Sequence, residues 1–408
     1  MTDIKPIFSA LMRNKTGVAL IVLQVAITLA VVCNSVFIIL ERADRVGKPS
    51  GMDEQNTFLI GSLGFTRDFD NAASTRQDLD LIRSLPGVVG ATSTNSVPMS
   101  WGGWGTGIDT QPMDPSGERR AKSSAIYMGD EQAIEAFGLK LVEGRGFRPE
   151  EVEDLKQATG FTAKSIIVTE PLAKALFPDK SAVGQQVYGL ANDDGLVTIV
   201  GVVEHMQKPW PTARDVDFAT LVPLRDGDGS SARYLVRAEP GQRDAIMKQV
   251  EEKLLASNPN RIVRDTRTIE SIRTEAYRGD RAMMTILISV MVALLLVTGA
   301  GIVGLASFWV TRRIKQIGTR RALGARRFNI RRYFQTENGL MVGMGVALGV
   351  VMTYGFNIWL MENYNAERLP WFYLPIGALA VFALGQLAVF GPARRASQVS
   401  PAVATRTA

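Results

Sequence analysis

The sequence predicts a membrane protein with four transmembrane α-helices and a large α+β domain between the first and second of them. Three features predict it: four long apolar runs without charge, basic residues concentrated in the short segments beside them, and a 242-residue stretch with mixed helix and strand patterns. The runs are residues 16–40, 283–310, 338–361 and 374–391.

Each run is long enough to cross a bilayer. A helix rises about 1.5 Å per residue, so the 25 residues of the first run reach roughly 37 Å, against about 30 Å of hydrocarbon. That run exceeds the apolar stretch of a signal peptide, roughly 7–15 residues, so we expect an uncleaved anchor. The fourth run is short, and a buried core helix is its competing interpretation, although aromatic residues 371–373 and Arg394–Arg395 flank it as at a membrane interface.

Charge predicts the orientation. Residues 1–15, 311–337 and 392–408 hold fifteen Lys and Arg against Asp3 and Glu337, a net +13 that leaves −7 for the rest of a chain of net charge +6. Basic loops stay cytoplasmic, so both termini are expected inside and residues 41–282 outside. The pI near 9.4 is therefore explained by topology and does not imply nucleic acid.

The outside domain shows two strand–helix–strand patterns, within residues 52–97 and 233–268, which together predict a split βαβ sandwich. Between them, residues 98–232 are expected to form an inserted, strand-rich subdomain. Its glycine-rich loop 101–105 carries two tryptophans and could touch a ligand or form a packed turn. The single cysteine, Cys33, and single histidine, His205, exclude an intrachain disulfide and the usual zinc or Ser/His/Asp sites, so no metal or cofactor is expected.

Two basic motifs carry a family resemblance. Residues 318–327, GTRRALGARR, follow the second run, and PARRA at 392–396 closes the fourth. Both motifs, in this order, resemble those of the MacB/FtsX-type ABC transporter permeases. Segments 85–88, 143–147, 166–173 and 200–203 are similar to the periplasmic core domain of that family.

The resemblance implies an arrangement and a partner set. It implies a "porter" built from the two βαβ-like units, an inserted "sabre", and a location in the bacterial inner membrane. It further implies a dimer of permeases, with an identical or related second chain, driven by two ATPase subunits whose motion is transmitted to the periplasmic domains. The leading function is efflux with a periplasmic adaptor and an outer-membrane duct. Lipoprotein release, regulation of cell-wall hydrolases as in the FtsX branch, and a membrane-anchored sensor are the alternatives.

No phosphate-binding G-x-x-x-x-G-K-[ST] motif occurs in the sequence, so a separate ATPase is expected and the chain itself is expected to be non-catalytic. Residues 311–337 are the predicted coupling loop, with short helices over 316–321 and 326–337 interrupted at Gly324. Apolar residues interleaved with cations favour docking of the ATPase over a purely topological role at the lipid headgroups. The candidate coupling residues are Ile317, Gly318, Arg320, Arg321, Leu323, Gly324, Arg327 and Phe328.

Small and polar residues in the runs predict helix packing. Polar side chains at membrane depth should face other helices, and small residues let helix backbones approach closely. The candidates are Gln24, Thr28, Gly301, Gly339, Gly343, Gly345 and Gly349. The first two spans are expected to form the dimer seam. Residues 1–15 are expected to form an amphipathic helix on the membrane lipid, or else a frayed terminus.

Overall fold

The structure is a computed structural model that describes residue 11 and residues 15–66, 69–112, 121–155, 163–190, 195–225, 229–364 and 368–400. The chain divides into two compact units. The membrane unit comprises Met1–Asp44 and Asp280–Ala408, and the α/β unit comprises Arg45–Gly279. The predicted amphipathic N-terminal helix lies outside the described residues except for Leu11 and Lys15.

The elements follow in chain order. The first membrane helix is α1 (Lys15–Gly47). The α/β unit then contains β1 (Thr57–Gly64), α2 (Asn71–Arg83), β2 (Val88–Ser93), β3 (Trp104–Ile108), β4 (Lys122–Gly129), α3 (Ala133–Phe137), β5 (Leu141–Gly144), a 3-10 turn (Pro149–Glu151), β6 (Glu153–Asp154), β7 (Ser165–Thr169), α4 (Glu170–Leu176), β8 (Gln186–Val187), β9 (Val197–Val203), β10 (Ala219–Arg225), β11 (Ser231–Ala238), α5 (Arg243–Ser257), β12 (Arg261–Thr268) and α6 (Ile269–Ala276). The remaining elements are α7 (Arg278–Arg312), α8 (Ile314–Ala322), α9 (Arg327–Tyr364) and α10 (Tyr373–Gln398).

The first sheet of the α/β unit has four strands in the order β12–β1–β11–β2, all antiparallel to their neighbours. Strand β11 separates β1 from β2, and β1 separates β11 from β12, so each βαβ unit is split. Helices α2 and α5 pack on this sheet because their apolar residues recur at helical spacing, and Leu79, Ile82 and Val250 join one buried cluster with strand residues.

Residues 104–225 form a mixed sheet in the order β3–β4–β10–β7–β9–β5, with β6 beside β10 and β8 beside β9. This inserted sheet packs on the other face of the four-stranded sheet. Tyr127 and Phe137 from the insert share a core with Leu235 of β11, which alternates with residues facing the helices.

The glycine-rich loop is packed on one side and exposed on the other. Gly103 precedes β3, and Gly105 and Gly107 occupy alternate positions of the strand; a Cβ on Gly103 would lie 2.7 Å from Pro209 and one on Gly105 3.5 Å from Trp210. Glycine at positions 103 and 105 therefore leaves room for the loop that contains Pro209 and Trp210, while Trp101 and Trp104 are exposed.

The fold class is confirmed: in the part of the chain that the structure describes, four helices long and apolar enough to span a membrane flank a large α/β domain. One local prediction is wrong, because residues 327–337 do not form a separate short helix. They are the first turns of α9, which runs unbroken through Asn338 and Gly339 to Tyr364. Glycine is tolerated there, as is common in membrane helices.

Candidate coupling surface

The turn between α8 and α9 is built by the RRALGA sequence. Helix α8 ends at Ala322, and Gly324 adopts φ +96°, a left-handed conformation that glycine reaches without a Cβ clash. The Gly324 N–H donates to the Arg321 carbonyl at 3.1 Å and the Ala325 N–H donates to the Arg320 carbonyl at 3.0 Å. This pair of bonds is a Schellman motif, so the glycine fixes the sharp reversal between the two helices.

An exposed apolar pair lies beside this reversal. Leu323 is 84% exposed and Phe328 is 57% exposed, and the candidate cations Arg320 and Arg327 are exposed beside them along the chain. Exposed apolar groups within a rim of charged residues are typical of protein-interaction sites. These four residues, Arg320, Leu323, Arg327 and Phe328, together with Gly324, are called the coupling surface below.

The other predicted coupling residues face inward. Ile317 and Gly318 are buried, and Ile317 packs with Phe334 of α9 and with Ala393 and Ala396 of α10. The second motif, PARRA, therefore supplies the two alanines on which α8 rests. The sequence places these motifs more than 60 residues apart, and the fold brings residues beside and within them into one apolar cluster.

Arg321 binds the end of α10. Its Nη1 donates to the carbonyls of Ser397 at 3.3 Å and Val399 at 2.6 Å. The last carbonyls of a helix lack intrahelical donors and carry partial negative charge, so a guanidinium there is stabilising. Sequence analysis grouped Arg321 with the docking cations, whereas its guanidinium is engaged within the chain.

The polar candidates of α1 meet α7. The Gln24 side chain donates to the Val297 carbonyl at 3.0 Å, and the hydroxyls of Thr28 and Thr298 lie 2.7 Å apart. A Cβ on Gly301 would lie 2.7 Å from the Gln24 amide oxygen, so this glycine leaves room for that side chain. These contacts provide hydrogen-bond partners for the Gln24 and Thr28 side chains, which lipid tails could not provide.

The glycine candidates of α9 divide between two neighbours. Gly345 and Gly349 face α1, where added Cβ atoms would lie 2.7 Å from Val25 and 3.0 Å from Leu29. Gly339 faces Gln386 of α10, and Gly343 has no neighbour within 4 Å of such an atom. Helix α1 thus contacts α7 and α9 within the chain, and half of its most apolar window is buried, compared with 11% for α7.

The α/β unit contains an ionic network that joins its two sheets. Arg83 of α2 contacts Asp130 at 2.5 Å and Glu131 at 2.8 Å, and Arg225 of β10 approaches Asp130 at 3.9 Å. Asp130 is fully buried, and burial raises the pKa of its carboxyl, although the Arg83 guanidinium opposes the rise.

Arg273 of α6 holds the end of α1. Its guanidinium donates to the carbonyls of Val46 at 2.9 Å and Lys48 at 2.8 Å and pairs with Glu54 at 2.7 Å. The contact fixes the end of α1 to the helix that precedes α7.

Comparison with known families accounts for both units. Residues 17–253 match the model of the MacB-like periplasmic core domain, and residues 288–401 match that of the FtsX-like permease C-terminal domain. The chain belongs to the MacB/FtsX-type ABC transporter permeases. It is accordingly a multi-pass membrane protein with a periplasmic-type domain.

Individual relatives of this permease agree with the family. A macrolide export ATP-binding/permease protein MacB from Chromobacterium violaceum is 27% identical over 65% of this chain and 40% of its own length. One from Marinobacter nauticus is 26% identical over 58% of this chain and 37% of its own length. The chain therefore spans about two fifths of the length of these relatives.

Solved structures of one periplasmic region and one extracellular domain are also similar to part of the permease. The periplasmic region of MacB from Actinobacillus actinomycetemcomitans covers 57% of this chain, and 97% of that structure is matched, at 17% identity and a TM-score of 0.34. The extracellular domain of the noncanonic ABC-type transporter YknZ covers 51% of this chain and is fully matched, at 14% identity and a TM-score of 0.32.

Proposed function

We propose that this permease transmits the ATP-driven motion of a separate ATPase subunit to its α/β domain. The observation that carries the proposal is the coupling surface, where Leu323 and Phe328 are exposed on a turn whose inner side is fixed to the membrane helices. Burying a leucine or phenylalanine side chain in a partner stabilises a complex by about 1.5–3 kcal/mol for each side chain. We therefore propose that Leu323 and Phe328 insert into an apolar groove on the ATPase.

The surrounding charge specifies the partner further. Exposed arginines on the turn favour an ATPase groove that is apolar at its centre and acidic at its rim. Because Ile317 and Arg321 attach α8 to α9 and α10, a displacement of the turn would move membrane helices as well. Helix α1 would carry that motion onward, since its end is bound by Arg273.

The same proposal includes the subunit composition that is typical of the family. Two copies of the ATPase would act on a dimer of permeases in the bacterial inner membrane, with both termini cytoplasmic and the α/β domain periplasmic. We propose efflux of a periplasmic substrate with an adaptor and an outer-membrane duct as the transport reaction. The porter would comprise residues 52–97 and 233–268 and the sabre 98–232. Lipoprotein release and hydrolase regulation remain the competing functions.

Substitution of Leu323 tests the docking step. Leu323→Asp places a charge where an apolar contact is proposed, so co-purification with the ATPase should fall at least tenfold, with normal membrane insertion. Leu255→Asp, an equivalent change on an exposed residue of α5, is the matched control and should bind as wild type. Equal recovery of the ATPase with Leu323→Asp and wild type would refute the coupling surface.

Identification of co-purified subunits in mild detergent tests the remaining parts. An ATPase with an adaptor supports efflux, a second related permease defines a heterodimer, and a cell-wall hydrolase supports the FtsX-like alternative. Purification without any ATPase would contradict the proposed function.

A further inference from the structure

A carboxylate is buried where the membrane helices meet. Glu337 of α9 is 1% exposed, and around it lie Ile21 of α1, Ile302 and Trp309 of α7, and Val389 of α10. An unpaired charge in such surroundings costs several kcal/mol, so its presence requires a compensating cation.

Arg313 is that cation. Its Nη1 lies 2.9 and 3.0 Å from the two carboxylate oxygens of Glu337. Arg313 lies between α7 and α8, and its backbone N–H donates to the carbonyls of Trp309 at 3.1 Å and Val310 at 3.2 Å. The pair therefore attaches the start of α8 to α9, ten residues after α9 begins.

Helix α8 is consequently held at both ends by arginines that bind different helices. Arg313 binds the Glu337 carboxylate of α9, and Arg321 binds the terminal carbonyls of α10. They are eight positions apart in the sequence, about 12 Å along the helix axis. Charge-assisted hydrogen bonds are short and roughly twice as strong as neutral ones, whereas the apolar contacts between the two arginines are non-directional.

We propose that Arg313 and Glu337 are positioning residues that convert displacement of α8 into movement of α9. The proposal rests on the proposed function, because it presumes that an ATPase pushes on the coupling surface. Neither side chain belongs to that surface, so loss of the pair should leave ATPase binding intact and abolish the transmission of motion.

Glu337→Gln tests the proposal because it removes the charge and keeps the side-chain shape. The variant is reconstituted with the ATPase in lipid nanodiscs, and ATPase affinity is measured beside ATP-dependent movement of a fluorescent pair on the α/β domain. We expect affinity within twofold of wild type and an ATP-dependent signal reduced at least tenfold. Arg312→Gln, on an exposed neighbour stacked on Phe308, is the matched control and should behave as wild type.

Two double variants separate positioning from simple stability. Replacing the pair with apolar side chains, Arg313→Met with Glu337→Leu, removes the buried carboxylate together with its cation and should fold well, yet remain uncoupled. Reversing the pair, Arg313→Glu with Glu337→Arg, should restore part of the signal. Normal coupling in Glu337→Gln or in the apolar double variant would overturn the proposal. Absence of ATPase binding or of movement in the wild type would instead overturn the proposed function.

Discussion

Gly345 provides the sharpest test of how the membrane helices pack. In Gly345→Ala, the added Cβ would lie 2.7 Å from Val25 Cβ and Cγ1 and 2.9 Å from the Val22 carbonyl oxygen. Carbon atoms prefer separations of about 3.5–4.0 Å, so the new Cβ and Val25 must separate by roughly 1 Å. Val25 is β-branched and rotates little within a helix, so α1 and α9 themselves must move apart.

The expected cost follows from that displacement. Overpacking of this size costs about 1–3 kcal/mol, while alanine gains up to about 1 kcal/mol in helix propensity over glycine. Gly343→Ala lies on the same helix and receives the same propensity gain, but its Cβ meets nothing within 4 Å. The helix-propensity gain cancels in the difference in stability between the two variants. That difference therefore measures the cost of the contact between the new Cβ and α1, about 1–3 kcal/mol.

Cys33 provides the assay. It is the only cysteine of the chain and is buried on α1, so its reaction with a thiol reagent reports local opening of the membrane unit. A difference of 1–3 kcal/mol corresponds to labelling about 5- to 150-fold faster in Gly345→Ala than in Gly343→Ala. Equal labelling rates in the two variants would refute the assignment of Gly345 to the contact with α1.

Two further predictions concern the α/β domain. The hydrogen bond from Arg145 lowers the pKa of Glu151 from 4.5 to about 2. The stabilisation from this pair is therefore present above a pH of about 4.5 and is lost as the pH falls towards 2. Glu151→Gln should make the free energy of unfolding less dependent on pH in this range, by less than about 1 kcal/mol because the pair is partly exposed. Arg83→Met leaves the buried carboxylate of Asp130 without its nearest cation and should cost about 3–5 kcal/mol in thermal unfolding, whereas unchanged stability would show that Arg225 suffices.

The sequence predicts well what depends on neighbouring residues. Uncharged runs locate the four membrane helices, and alternating or helical periodicity locates the two βαβ patterns around residues 57–93 and 234–263. The error at residues 327–337 has a local cause. The change from charged to apolar composition favoured a boundary there, but no proline lies between Arg327 and Tyr364, so the helix continues into the apolar segment.

The candidate sites were only partly predictable. Leu323 and Phe328 are exposed as a docking surface requires, whereas Ile317, Gly318 and Arg321 have the same composition and motif but face the chain itself. Sequence analysis counted Arg313 only among the fifteen basic residues of the expected cytoplasmic segments, and Glu337 only as one of their two acids. A lone acid beside a basic loop was the available signal, since such a charge needs a partner.

The sequence by itself determined the membrane spans, the segregation of charge, the mixed α/β domain and the family, because burial in lipid, orientation and periodicity are recorded residue by residue along the chain. The tertiary structure decided which small residues pack, with Gly345 against α1 and Gly343 against nothing, and which arginines face outward. It also decided that Glu337 meets Arg313 and that Arg321 meets Val399, 78 residues away. These contacts depend on how helices cross, and crossing is set by side chains from several distant segments meeting at once.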